Sequence, residues 1–214
     1  MSALDRQQLT VGAERLQVTL SNYQLDLLEH FAAMVVKWNA QINLISRRDI
    51  DRLQARHILD SLAVVPWLTG PTILDVGSGA GLPGIPVAIA CPDRALTLCE
   101  RMTRRARFLN QVVQSLELDN VEIVPRDVSE VSTKYDTVMA RAVASPMHIW
   151  RDVEQKLVPG GRALVFASTQ GRGGLVEDRE DEANLASHVQ VTYHHYQVPG
   201  LERRHTIIEL QGGN

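Results

Sequence analysis

Three alternate glycines, Gly77, Gly79 and Gly81, follow the short apolar run Ile73-Leu74-Asp75-Val76. Glycine accepts positive φ and carries no side chain, so a ligand can approach the backbone of such a turn closely. One carboxylate, Asp75, stands at the strand end leading into the turn. Two ligands commonly occupy a turn of this kind, and they differ in charge. A dinucleotide presents an anionic pyrophosphate, best met by N–H groups with no carboxylate nearby. S-adenosylmethionine presents an ammonium and a sulfonium and no phosphate. Asp75 suits the cationic ligand and repels the anionic one. The spacing also departs from the dinucleotide fingerprint: with Gly77 and Gly79 as its first two glycines, the third place is Leu82.

Further polar residues fall at the ends of later apolar runs. Glu100 follows Ala95–Cys99, where it can accept hydrogen bonds from two ribose hydroxyls. That supports an adenosine-containing ligand without choosing one. Arg126-Asp127-Val128-Ser129 is placed to read an adenine edge. Arg141 ends the next run, over the ligand, and either holds the ligand or a phosphate or pairs with a core acid. His57, Asp60 and Ser61, at i, i+3 and i+4, share one helix face. They either line the pocket or form a hydrogen-bond network joining a helical segment to the sheet. Asn39 and Asn43 carry the same ambiguity, with a turn-stabilising role as the simpler reading. Arg101, Arg104 and Arg105 share a helix face just past Glu100. They are either phosphate contacts to RNA or a solvated face, and Arg203 and Arg204 are open to the same two readings.

The elements that would position these residues follow from hydrophobic period. Residues 1–70 read as mostly helical. A first helix starts at the N-cap Ser21 and carries Leu27, Leu28, Phe31, Val35 and Trp38 at helical spacing. A break falls over 39–43, and a second helix runs over 49–65 and stops at Pro66. Gly70-Pro71 divides a helical extension, 1–70, from a second unit, 71–214. There strands over 72–76, 95–99, 121–124, 136–140 and 162–167 alternate with helices near 82–90, 102–117 and 146–157. This rhythm predicts an α/β fold with a mostly parallel sheet covered on both faces. A helix near 175–186 precedes two β-like segments, 189–198 and 205–210, joined through Pro199-Gly200 as an antiparallel edge pair.

The bulk properties fit a soluble globular chain: 214 residues, 44% hydrophobic and 22% charged. No stretch approaches the roughly 20 apolar residues of a membrane span, and the N-terminus lacks a signal-peptide pattern. Cys91 and Cys99 are too few for a disulfide framework or a zinc site and sit in apolar surroundings. A cytoplasmic protein without a metal, not attached to membrane, is the expectation. The net charge of −3 is no announcement of a nucleic-acid binder. Charge is uneven, however: four arginines lie between Arg101 and Arg107, and an acidic run, a solvated helix face, spans Glu177–Glu182. Any RNA must meet a local patch.

The extended motif Leu74-Asp75-Val76-Gly77-Ser78-Gly79-Ala80-Gly81-Leu82-Pro83-Gly84-Ile85-Pro86 resembles that of the RsmG (GidB) family of 16S ribosomal RNA guanine-N7 methyltransferases. Trp38-Asn39-Ala40-Gln41-Ile42-Asn43-Leu44-Ile45-Ser46, His57-Ile58-Leu59-Asp60-Ser61-Leu62 and Tyr135–Ala144 resemble three further family signatures, and Arg104-Arg105 its basic pair. The resemblance implies a Rossmann-like class I S-adenosylmethionine-dependent methyltransferase sheet of seven strands with an N-terminal helical extension. It implies cofactor contacts at Gly77, Leu82, Val128, Ser129 and Arg141, beside Asp75, Gly79, Gly81 and Glu100. The implied partner is 16S ribosomal RNA or the small ribosomal subunit; a monomer is a separate expectation. One place departs from the family: Ala167-Ser168-Thr169-Gln170-Gly171 lacks a lysine that many relatives carry, so any substrate or phosphate role of that lysine is either lost here or taken by Arg172 or Arg162. Guanine N7 has a free lone pair and no proton to lose, so its methylation needs positioning more than a general base. In agreement, the chain has no Asn-Pro-Pro-Tyr amine-methylating motif and no cysteine where a cytosine-C5 nucleophile belongs. The alternatives are a methyltransferase acting on a small molecule or protein, a nicotinamide-dependent oxidoreductase, and a non-catalytic RNA-binding module.

Overall fold

The computed structural model describes residues 4–141, 145–167 and 188–213. Two helices open the chain, α1 (Arg6–Arg15) and α2 (Asn22–Asn39). The Ser21 hydroxyl accepts from the Gln24 N–H, and the Gln24 side chain accepts from the Ser21 N–H. This reciprocal cap satisfies two donors that no helical carbonyl reaches. Leu25, Leu28, Phe31, Ala32 and Val35 then recur on the buried face of α2.

The next segment is not the single helix expected over 49–65. A 3₁₀ stretch (Arg47–Arg52) leads into π-helical turns (Gln54–Leu59) and one α turn, α3 (Asp60–Leu62). Pro66 lies inside a further 3₁₀ turn (Val65–Trp67) instead of ending a helix. Two side-chain donors, one from a distant strand and one from the next turn, account for it. The Arg56 carbonyl accepts from Arg141 Nη2 at 2.8 Å, and the His57 carbonyl accepts from Ser61 Oγ at 2.5 Å. Side-chain donors inserted at consecutive carbonyls widen a helix locally.

Five strands run parallel: β1 (Thr72–Val76), β2 (Ala95–Cys99), β3 (Val121–Val124), β4 (Tyr135–Arg141) and β5 (Leu157–Phe166). Helices α4 (Gly84–Ala90), α5 (Thr103–Leu116) and α6 (Pro146–Val153) lie among them in sequence. β6 (Val189–Gln197) and β7 (Arg204–Gly212) form an antiparallel pair, and β7 also pairs antiparallel with β5. The order is β3-β2-β1-β4-β5-β7-β6, so the direction of strand succession reverses between β1 and β4. A crevice forms at such a reversal, beyond the carboxyl ends of the strands.

The central strands are buried on both faces, as a parallel sheet covered on both sides requires. One apolar cluster joins Leu9 and Phe31 of the first helices to Ile73, Leu98, Phe108 and Ile207. Another gathers Leu74, Val138, Ile149, Trp150 and Val165. At about 1.5–3 kcal/mol per fully buried large apolar side chain, the first cluster binds α1 and α2 firmly to the sheet. The expected helix near 175–186, the acidic run, Ser168–Gln170 and Arg172 lie outside the described residues. Among the described residues no helix is long and apolar enough to cross a membrane.

Candidate cofactor and substrate site

A cavity of about 540 Å³ opens at the carboxyl ends of β1 to β4. The turn after β1 borders it. Gly77, Gly79 and Gly81 take φ of +67°, +54° and +78°, a region costly for any residue with a Cβ. The three serve different ends. A Cβ on Gly79 would meet nothing nearer than the Gly77 carbonyl oxygen at 3.7 Å, so the space above it is open. A Cβ on Gly81 would fall 2.7 Å from Ile85 Cγ1 and 3.1 Å from Leu109 Cδ2. Gly77 and Gly79 line the cavity with Leu82, whereas Gly81 admits the packing of α4 and α5 beneath it.

The turn binds itself. Gly77 and Ser78 N–H donate to the Cys99 carbonyl at 2.9 and 3.1 Å, and Gly81 and Leu82 N–H donate to that of Ser78. Gly79 N–H donates to Glu100 Oε2 at 2.9 Å. A pyrophosphate needs these groups free. Glu100 is buried, and its Oε1 accepts from Met102 N–H at 2.7 Å. Each carboxylate oxygen keeps a second lone pair, so Glu100, which lines the cavity, can still accept from ligand hydroxyls.

Asp75 lies beneath the turn, outside the cavity lining. It is 1% exposed, and its Oδ2 accepts the Gly84 N–H at 3.1 Å. A Cβ on Gly84 would stand 2.6 Å from that oxygen. Burial raises the Asp75 pKa to about 7, and Oδ1 has no partner among the described residues. Its position fixes the first residue of α4 from below; the carboxylate that reaches the cavity is Glu100. Past β3, Arg126, Asp127 and Val128 line the cavity. Ser129 does not: its N–H and Oγ donate to Asp127 Oδ1 at 3.1 and 2.9 Å and hold that short turn. Cys99 lines the cavity as a thiol, its pKa pushed up to about 11, chiefly by burial.

Arg141 makes the pairing with a core acid, and it does so at the edge of the cavity. It lines the cavity and pairs with Asp60, Nη2 to Oδ2, at 3.0 Å. It also donates to Ser61 Oγ at 3.3 Å and to the Arg56 carbonyl. Its Nε–H and one Nη1–H stay without a partner among the described residues, since a guanidinium has five donors. Burial alone would raise the Asp60 pKa; bonds from His205 and Tyr196 and the Arg141 charge bring it below the ordinary carboxylate value. His57 lines the cavity, while Asp60 and Ser61 stay outside the lining and bear on it through Arg141. Burial, then the Arg141 charge, lower the His57 pKa to about 4. The ring is therefore neutral at pH 7. Arg141 Nη2 stands 3.4 Å from His57 Nδ1 and can only donate, so a bond there needs Nδ1 unprotonated; Nε2 has no hydrogen-bond partner among the described residues and lies 3.8 Å from Asp49 Oδ2.

Of the arginines, Arg101 and Arg105 line the cavity and Arg104 does not. Arg101 precedes α5, which begins at Thr103, so it is off the helix face expected for it; it stands 3.8 Å from Asp127. Arg203 and Arg204 lead into β7, at the carboxyl end of β5 and so at the cavity's end of the sheet. Arg162 donates to Glu209 at 2.8 Å, away from the cavity, so it does not take the missing lysine's place there. Four participants escape a reading of the sequence. Leu44 and Ile45 line the cavity because Asn39 Oδ1 accepts both their N–H groups, at 2.8 and 2.9 Å. Asn39, not Asn43, makes that turn, and its spacing to Leu44 is the available signal. Tyr196 and His205 bond Asp60; only the β6–β7 register reveals them.

A sheet in this order with a glycine turn after β1 defines the Rossmann-like architecture of class I S-adenosylmethionine-dependent methyltransferases. Magnesium protoporphyrin IX methyltransferase from Synechocystis PCC 6803, solved with bound S-adenosylmethionine, has that fold: TM-score 0.59 and 15% identity over 84% of this chain and 96% of that one. Residues 24–206 match the GidB family, rRNA small subunit methyltransferase G. Ribosomal RNA small subunit methyltransferase G of Coxiella burnetii (strain Dugway 5J108-111) is 35% identical over 85% of each chain. That of Polaromonas naphthalenivorans (strain CJ2) is 35% identical over 96% of this chain and 95% of its own. The chain belongs to this family.

Proposed function

We propose that this protein transfers the methyl group of S-adenosyl-L-methionine to guanine N7 of 16S ribosomal RNA in the small subunit. The observation that carries the cofactor is the self-bonded glycine turn with Glu100 at its edge. It offers acceptors for ribose hydroxyls and withholds the N–H groups a pyrophosphate would need. The open space over Gly79 admits a ligand against the backbone, and the two remaining Arg141 donors suit a carboxylate. S-adenosylmethionine, when bound, supplies an electrophilic methyl group. The residues assigned to it are Gly77, Gly79, Leu82, Glu100, Val128 and Arg141, with Asp75, Gly81 and Ser129 shaping the elements that carry them.

The chain's own task is to hold a base beside that methyl group. Guanine N7 has nothing to be deprotonated, so no side chain acts as a base. Methylated guanine is cationic, and two of the groups at the cavity add no net positive charge beside it: His57 is neutral and Arg141 is balanced by Asp60. Leu44 and Ile45 supply an apolar wall. Arg104 and Arg105 occupy the first turn of α5, where the helix dipole disfavours cations. Stability alone does not account for that placement; phosphate contact does, with Arg101, Arg203 and Arg204 at the same end of the sheet. The helical segment 1–70 contributes a wall of the site to the unit 71–214. A cytoplasmic monomer is the matching expectation.

The test is transfer from labelled S-adenosylmethionine to small subunits lacking the modification, followed by mapping of the modified base. Label at N7 of one guanine is expected. Label at another atom, or none in RNA while the cofactor binds, refutes the assignment.

A further inference from the structure

Asp60 is 5% exposed and bonded on both oxygens. Oδ2 faces Arg141 Nη2 at 3.0 Å; Oδ1 accepts the Tyr196 hydroxyl at 2.7 Å and His205 Nδ1 at 2.9 Å. Tyr196 and His205 are direct partners in the β6–β7 register, and their rings lie 5.5 Å apart. Neither lines the cavity. We infer that Tyr196 and His205 are positioning residues for the methyl-donor site: by fixing the Asp60 carboxylate they set the direction in which Arg141 presents its remaining N–H groups.

A carboxylate held at one oxygen can turn about its Cβ–Cγ bond. Two donors converging on the other oxygen fix its plane, and a planar guanidinium bonded to it takes its orientation from that plane. Arg141 gains its other contacts, the Arg56 carbonyl and Ser61 Oγ, from the segment that also carries Asp60. Asp60 is the carboxylate in ion-pair contact with it among the described residues. The hairpin therefore reaches the cavity edge through a hydrogen bond and an ion pair, the Tyr196–Asp60 link joining residues 136 apart in sequence. This rests on the reading of Arg141 as a donor-binding group.

Affinity for S-adenosylhomocysteine, measured by calorimetry, separates the possibilities, with melting temperature recorded beside it. Tyr196→Phe keeps the ring and deletes one donor. It is expected to weaken binding about tenfold in the otherwise unchanged protein and to change nothing in an Arg141→Gln background. His205→Asn can still donate to Oδ1 and is expected to keep its affinity, where His205→Leu loses it. A merely structural role lowers the melting temperature alike in both backgrounds and leaves no such coupling. Equal weakening by Tyr196→Phe in both backgrounds, or none in the unchanged protein, overturns the inference. Unaltered affinity in Arg141→Gln itself overturns the reading of Arg141 on which it stands.

Discussion

Asn39→Ala isolates the contribution of one side chain to the cavity wall. Asn39 is 5% exposed, and its Oδ1 accepts two backbone donors, Leu44 N–H at 2.8 Å and Ile45 N–H at 2.9 Å. Alanine removes the acceptor and leaves both donors unmatched. Leu44 is buried and Ile45 is partly buried, so water can repair the second bond better than the first. At about 1–3 kcal/mol for each buried donor left unsatisfied, the sum is about 3 kcal/mol. In a domain of this size that lowers the melting temperature by about 6–12 °C. The assay is thermal unfolding combined with hydrogen exchange of the Leu44 and Ile45 amides. Both amides lose protection, while those of β1 change only with global stability. Methyl transfer also falls well below the melting temperature, because Leu44 and Ile45 form part of the cavity. A drop of less than about 2 °C with both amides still protected would refute the reasoning.

Three further outcomes follow from other parts of the site. Gly81→Ala combines positive φ with a 2.7 Å approach to Ile85 and costs about 3 kcal/mol in urea unfolding. Gly79→Ala has room for its methyl, so it costs only about 1–2 kcal/mol yet lowers calorimetric affinity for S-adenosylhomocysteine in the folded protein; equal behaviour of the two variants counts against their different assignments. The unfolded chain takes up a proton at His57 below 6.5, whereas the folded protein refuses it until about 4. Stability therefore falls as pH drops through that window and is unaffected above it. His57→Gln removes that loss, about 3 kcal/mol at its fullest; identical acid slopes in denaturation series at pH 4.5–8 contradict it. Arg104→Ala and Arg105→Ala each reduce the salt dependence of RNA binding by about 0.7–0.9 in the log–log slope for every phosphate left without its arginine, and unchanged slopes remove that arginine from the interface.

Local chemistry made much of the fold legible. β1, β2 and β3 occupy the residues that apolar runs and flanking breaks predict, and the Ser21 cap stands where the sequence puts it. The glycine turn and Glu100 are legible for the same reason, since strand ends and turns are written in neighbouring residues. What escapes depends on distant partners. Near Gln54–Leu59 the Ser61 hydroxyl is only one of the two donors behind the π-helical turns; the other, which reaches the Arg56 carbonyl, is Arg141, 85 residues away. Asp60 reads as a member of a local face, but its bonds come from β4, β6 and β7. The charge of Asp75 suggests a ligand contact, whereas its burial decides what it touches. Arg101 stands just ahead of the helix that periodicity suggests for it.

The double engagement of Glu100 ties the mould to the grip. Its Oε2 secures the Gly79 amide and its Oε1 the Met102 amide, so the acid that would accept ribose hydroxyls also keeps the backbone beneath the ligand in shape. Glutamine there would surrender an acceptor to an NH₂ group facing an N–H, and the bend itself would have to rearrange. Recognition and preorganisation are thus inherited together at this position and cannot be tuned apart by a single substitution.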